Sequence, residues 1–225
     1  MPRPDPRISV NKLGEYLTCS ASRRRRILED AKDPKSFIVP RFNDFYAIAT
    51  QYLVSNPLND GIITAAIEKI QSRQPCTDWE EHNKMLNVDL LGNLMDIPDL
   101  LPLNGLTMTA LPLSQDDLTI AGVAVSVRPE IPIRGSDRGR DVIGALKLHV
   151  PKSFSLDDET ADYVATTVQQ HLATYPPCGG DIDYRLCFVA DVPSRAVFAA
   201  PRSFTRRRKD IEAACEEIAA RWPSL

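Results

Sequence analysis

The spacing of apolar residues changes once along this chain, and that change restricts its fold more than any other feature. Up to about residue 104 the spacing is helical. Phe42, Phe45, Tyr46, Ala49, Tyr52 and Leu53 recur at three- and four-residue intervals, as do Ile63, Ala66, Ile67 and Ile70. Beyond residue 105 the pattern alternates. Val142 to Val150 is the clearest strand, with Val142, Gly144, Leu146, Leu148 and Val150 on one face and Ile143, Ala145, Lys147 and His149 on the other. The chain therefore reads as α/β (α+β), with a helical extension or lid over 1–104 and a strand-rich core over 105–225. No long linker separates them, so one compact unit is expected.

Local signals place the elements. Ser9 caps a helix from about Asn11, and a second follows around Ser22 to Ala31. Pro34 and Pro40 bracket an extended piece, Phe37-Ile38-Val39. Thr77 and Glu80 have the spacing of a capping box, opening a helix that carries Trp79, Leu86 and Leu90. In the second half, Leu118 to Val127 reads as one strand with Gly122 inside it. Residues 131–134 are extended, and Gly135 to Gly139 is a turn. A helix opens at Ser155, strands follow over Tyr184–Ala190 and Ala196–Ala200, and a last helix starts near Thr205.

Composition narrows the class. At 43% hydrophobic and 25% charged the chain is ordinary globular material, and no apolar run approaches the roughly 18 residues of a membrane span. The five cysteines form no C-x-x-C pair, which fits reduced thiols, and MPRPDPRISV lacks the apolar stretch of a secretory signal. The expected location is cytoplasmic. Net charge is −3, yet two basic runs stand out: Arg23, Arg24, Arg25 and Arg26, and Arg206, Arg207, Arg208 and Lys209. Each is either a phosphate-binding patch or a solvated helix face. His82 and His171 read as surface or satisfied histidines. Asp157, Asp158 and Glu159 read as an acidic first helical turn.

One constellation suggests chemistry. Pro129-Glu130 ends an extended segment, and Ala145-Leu146-Lys147 lies on the strand after it, with His149 one pleat further on. A helix and another strand follow. This order resembles the PD-(D/E)XK (RecB-like) nuclease superfamily, in which an acid after proline is followed, on the next strand, by an acid, any residue and a lysine. The stretch Ile8 to Cys19 resembles the opening helix of RecB-like members. The resemblance covers residues 116–200, and 8–30 more loosely.

The resemblance implies a mixed central sheet of the restriction-endonuclease-like type and magnesium-dependent cleavage of DNA. Glu130, Lys147 and His149 are then the catalytic candidates. Glu130 and Glu15 are the metal candidates, and the Arg runs hold nucleic acid. The pattern is incomplete, because Ala145 stands where the second acid belongs and a methyl group binds no magnesium. Three readings of Glu130 and Lys147 stay open: a working metal site, a degenerate site in a non-catalytic binding subunit with a protein partner, and a plain cross-strand ion pair. A regulator or antitoxin-like protein unrelated to nucleases is the remaining class.

Overall fold

The computed structural model describes residues 2–34, 42–151 and 154–225. A short strand β1 (Arg7–Ser9) leads into α1 (Val10–Thr18) and α2 (Ala21–Lys32). The helical layer follows, with α3 (Asn43–Leu53), α4 (Asp60–Gln71), α5 (Asp78–Leu94) and α6 (Ile97–Leu100). The strands are β2 (Thr107–Met108), β3 (Leu118–Ile120), β4 (Val123–Ser126), β5 (Ile131–Asp137) and β6 (Arg140–His149). Then come α7 (Asp158–Thr174), β7 (Asp181–Asp191), β8 (Ala196–Ala199) and α8 (Thr205–Arg221). The expected mixed α/β class is observed. The Phe37-Ile38-Val39 segment lies outside the described residues.

The strands form two sheets. A five-stranded mixed sheet has the order β2-β5-β6-β7-β8, antiparallel except where β6 and β7 run parallel across α7. A three-stranded sheet has the order β1-β4-β3. Its hairpin corrects the reading of 118–127 as one strand. Ala121 (φ 45°) and Gly122 (φ 79°) turn the chain, and β3 folds back on β4. Positive φ at both central positions suits a two-residue hairpin, because its twist matches that of the strands. The Gly135–Gly139 turn is likewise shorter than expected. Strand β5 runs on to Asp137, and only Arg138 and Gly139 turn.

Both faces of the five-stranded sheet are covered. Leu146, Leu148 and Val150 pack under the helical layer with Phe45, Leu90 and Leu94. Ala145, Cys187 and Val189 pack on the opposite face with Leu13, Val164 and Ile218 from α1, α7 and α8. Strand β6 is thus buried on both sides, as its parallel pairing with β7 demands. Gly144 has a steric reason for being glycine. It sits where the register slips between Ile143 and Ala145, and a Cβ there would lie 2.0 Å from Leu186 O.

Helix ends follow their side chains. Ser9 accepts from Lys12 N, Asp157 accepts from Thr160 N, and Thr77 with Glu80 forms the full capping box. Leu86 and Leu90 of α5 point inward, whereas Trp79 is 41% exposed. Among the described residues no helix is long and apolar enough to cross a membrane.

Candidate functional site

Glu130 ends the β4–β5 connection. The β5–β6 register pairs Ile131 with Leu146, and one residue further along it Glu130 faces Lys147. Lys147 Nζ donates to Glu130 Oε1 at 2.5 Å and to Arg128 O at 3.1 Å. The other carboxylate oxygen accepts from Leu148 N at 2.7 Å. Glu130 N in turn donates to Leu146 O at 3.1 Å. Lys147 thereby pins the connection at Arg128, whose φ of 45° needs such support. The Glu130 and Lys147 side chains are only 13% and 9% exposed.

Burial is the dominant influence on the Glu130 carboxyl and raises its pKa above the usual range, against the opposing pull of Lys147. Tyr46, from α3, lies close enough to sense this charge. Burial first, and the Glu130 carboxylate second, push its phenol upward. Helical spacing marks Tyr46 only as an inward residue, and nothing in the sequence ties it to Glu130.

His149 shares the sheet face of Lys147 and is 2% exposed. Its Nε2 lies 2.7 Å from Phe154 O, and since a carbonyl only accepts, Nε2 carries the proton. Nδ1 is buried without a hydrogen-bond partner. Burial disfavours the imidazolium and lowers the pKa of the ring below its ordinary value. Asp191 pairs with His149 in the parallel register and is fully buried. It accepts from Ser155 Oγ at 2.7 Å and Leu156 N at 3.0 Å. Together His149 and Asp191 hold the end of the β6–α7 connection, Phe154 to Leu156, against the carboxyl ends of the parallel strands. The sequence marks Asp191 only as a residue flanking the later strand.

Glu15 is buried on α1. Its oxygens are 2.6 Å from Lys12 Nζ and 2.6 Å from Arg23 Nε. Burial alone would raise its pKa, but the bonds from Arg23 and Lys12 outweigh it and hold the carboxyl below the usual range. Ala145 is fully buried in the apolar cluster. Among the described residues, no group of three or more His, Cys, Asp or Glu is placed to hold a metal ion.

The basic runs are only partly at liberty. Arg23 binds Glu15, while Arg24 spans to Glu217 of α8 and lies over the Tyr16 ring. Arg25 pairs with the exposed Glu29, and Arg26 is exposed. In the second run Arg207 binds Asp162 of α7, and Arg208 binds Gln169 and lies over Phe204. Arg206 and Lys209 are exposed. His82 is exposed, whereas His171 is fully buried and its Nε2 donates to Asp116 O at 3.0 Å.

No protein-family model matches the chain, and no curated protein matches it.

Proposed function

We propose that this chain is a nuclease-related, cytoplasmic protein of DNA processing or antiviral defence that acts as a binding subunit rather than as a hydrolase. The kinship rests on the order β4-β5-β6-α7-β7 and on Glu130 and Lys147 meeting across two adjacent strands. One observation carries the non-catalytic part. Both oxygens of Glu130 are already taken, one by an ammonium and one by an amide, in a site with little exposed surface.

Phosphodiester hydrolysis by a magnesium enzyme needs carboxylates that polarise the phosphate through the metal. The donor set here does not suit that ion. Magnesium prefers carboxylate and water oxygens in octahedral array. Glu15 is neutralised by Lys12 and Arg23, Ala145 offers nothing, and imidazole is a poor magnesium ligand. Lys147 is a structural cation in this reading, because its charge is spent on Glu130 and Arg128 O.

The test combines plasmid cleavage with thermal melting, each in magnesium and in manganese. The expected result is no cleavage by wild type or Lys147→Ala beyond a buffer control, and no melting shift from millimolar manganese. Cleavage by wild type that Lys147→Ala abolishes, or a manganese shift that Glu130→Ala abolishes, would overturn the reading and restore the hydrolase.

A further inference from the structure

Between β2 and β3 the chain runs through residues 109–117 without helix or strand. Thr109 N donates to Pro132 O at 3.0 Å where this segment leaves the sheet. Beyond that point side chains hold it down. His171 Nε2, in the last turn of α7, donates to Asp116 O at 3.0 Å, and the hydroxyl of Tyr175 donates to Asp117 O at 3.0 Å. Residues four apart share one face of a helix, and the two rings lie 5.2 Å apart. Two successive carbonyls are thereby clasped from one helix end. Arg7 of β1 pairs with the Asp117 carboxylate at 2.9 Å, and Ser114 Oγ donates to Asp116 Oδ2 at 2.8 Å. Under the segment, Leu113 packs into the cluster shared by α1, α7 and α8.

The clasp holds an imidazole where it cannot easily carry charge. His171 is fully buried. Because Nε2 donates to a carbonyl, Nδ1 is the nitrogen left to take a further proton. Nδ1 is itself buried, without a hydrogen-bond partner. A proton added there creates a buried cation and a buried N–H with no acceptor, and both are unfavourable. The charges that act on the ring are those of Asp116 and Asp117, both on the segment itself, and Arg7 offsets the second. The two carboxylates favour the imidazolium, but burial outweighs them and keeps the pKa below its ordinary value of 6.5. Once the segment lifts, water reaches the ring and that penalty disappears.

We propose that residues 109–117 form an acid-released strap, closed over His171 and Leu113 near neutral pH and lifted as the imidazole takes up one proton. The closed form excludes the proton and the open form accepts it at an ordinary value, so opening is favoured as pH falls through about 6.5. Opening is local. It breaks the two bonds from α7 and uncovers Leu113, while the five-stranded sheet keeps its pairing.

The test is limited proteolysis of the full-length chain at pH 7.5 and pH 5.5 with a protease specific for acidic residues. Initial rates of cleavage after Asp116 and Asp117 are read by mass spectrometry. Each is divided by the rate on a free peptide of residues 109–120 at the same pH, which removes the protease's own pH dependence. The normalised rate follows the population of the open form. It is expected to rise several-fold between the two pH values, towards the ceiling of about tenfold that one proton bound at 6.5 allows. Cleavage after Glu15, buried on α1, is expected to stay flat and reports global unfolding. His171→Gln keeps a donor for Asp116 O but offers no proton site, so its rate loses the pH dependence. Tyr175→Phe opens the strap more at both pH values and keeps the pH ratio. A flat wild-type ratio, a parallel rise at Glu15, an unchanged ratio in His171→Gln, or a Tyr175→Phe rate equal to wild type would overturn the proposal. Should His171→Gln not fold, the wild-type ratio and the Glu15 control decide it alone. None of these outcomes depends on whether the protein cuts DNA.

Discussion

Glu130 and Lys147 face one another across the β5–β6 pair with 2.5 Å between Oε1 and Nζ, both largely withdrawn from water. Removing one member of such a pair strands the other, and the loss is typically about 3–5 kcal/mol. Lys147→Ala is therefore expected to lower stability by about that amount, most of it from an unpaired Glu130 carboxylate. Replacing both with neutral groups of similar shape, Lys147→Met with Glu130→Gln, is expected to recover most of the loss. Urea unfolding of the two single variants and the double variant checks this. A Lys147→Ala protein within about 1 kcal/mol of wild type would show that the pair is not structural.

The second arginine run separates into two kinds of residue. Arg207 and Arg208 tie α8 to α7 through Asp162 and Gln169, whereas Arg206 and Lys209 are exposed. Arg207→Ala is expected to cost about 1 kcal/mol, the scale of a partly buried ion pair. Lys209→Ala is expected to stay within about 0.5 kcal/mol of wild type, as surface substitutions usually do. Chemical denaturation measures both. Should duplex DNA bind, Arg206→Ala and Lys209→Ala are the substitutions expected to flatten its salt dependence.

Gly144 gives a prediction about the sheet. A methyl group at this position would meet Leu186 O at 2.0 Å and Leu186 C at 2.3 Å, both backbone atoms that cannot rotate away. Gly144→Ala must shift β7 at its register slip. The expected loss is about 3 kcal/mol, the upper part of the range for overpacking, read as a drop in urea midpoint. Gly92→Ala is the control, because a Cβ there meets nothing within 4 Å and α5 gains a better helix former.

These sites also show what the sequence discloses. Period and capping chemistry are local, so α5 with its Thr77–Glu80 box and α8 are readable from the chain, as is the extent of β6 to within two residues at its start; α7 is readable by period, but it opens at Asp158 with Asp157 as its cap and not at Ser155, whose hydroxyl is bound to Asp191. The Ala121-Gly122 hairpin escapes notice, because alternation continues through it and only the positive φ values mark the turn. Trp79 matches the apolar stripe of α5 by residue type, but it lies in the first turn and is exposed. The meeting of Glu130 and Lys147 is legible because a hairpin register fixes it. Its burial is not, since that depends on α7 and the helical layer covering both faces of β6. The electrostatic influence of Glu130 on Tyr46 and the capture of Arg207 by Asp162 are long-range and leave no local trace.

The pH dependence of stability near neutrality follows from three buried groups, His149, His171 and Glu130, while Glu15, held below the usual carboxylate range, adds a loss only as pH falls through that range. His149 and His171 both have lowered pKa values in the fold, because burial disfavours the imidazolium. The unfolded chain binds these protons near the ordinary value of 6.5, while the folded chain refuses them. Below that pH the unfolded state therefore carries more protons, and stability falls as pH falls. Glu130 acts in the opposite sense. Its raised value means that the folded state binds the extra proton above the ordinary value of 4.5, so its contribution is lost as pH rises through that window. With two histidines set against one glutamate, the melting temperature is expected to drop between pH 7 and pH 5. His171→Gln should flatten the drop even if it lowers stability at pH 7. A His171→Gln profile parallel to that of wild type would show that this imidazole is not the group being charged.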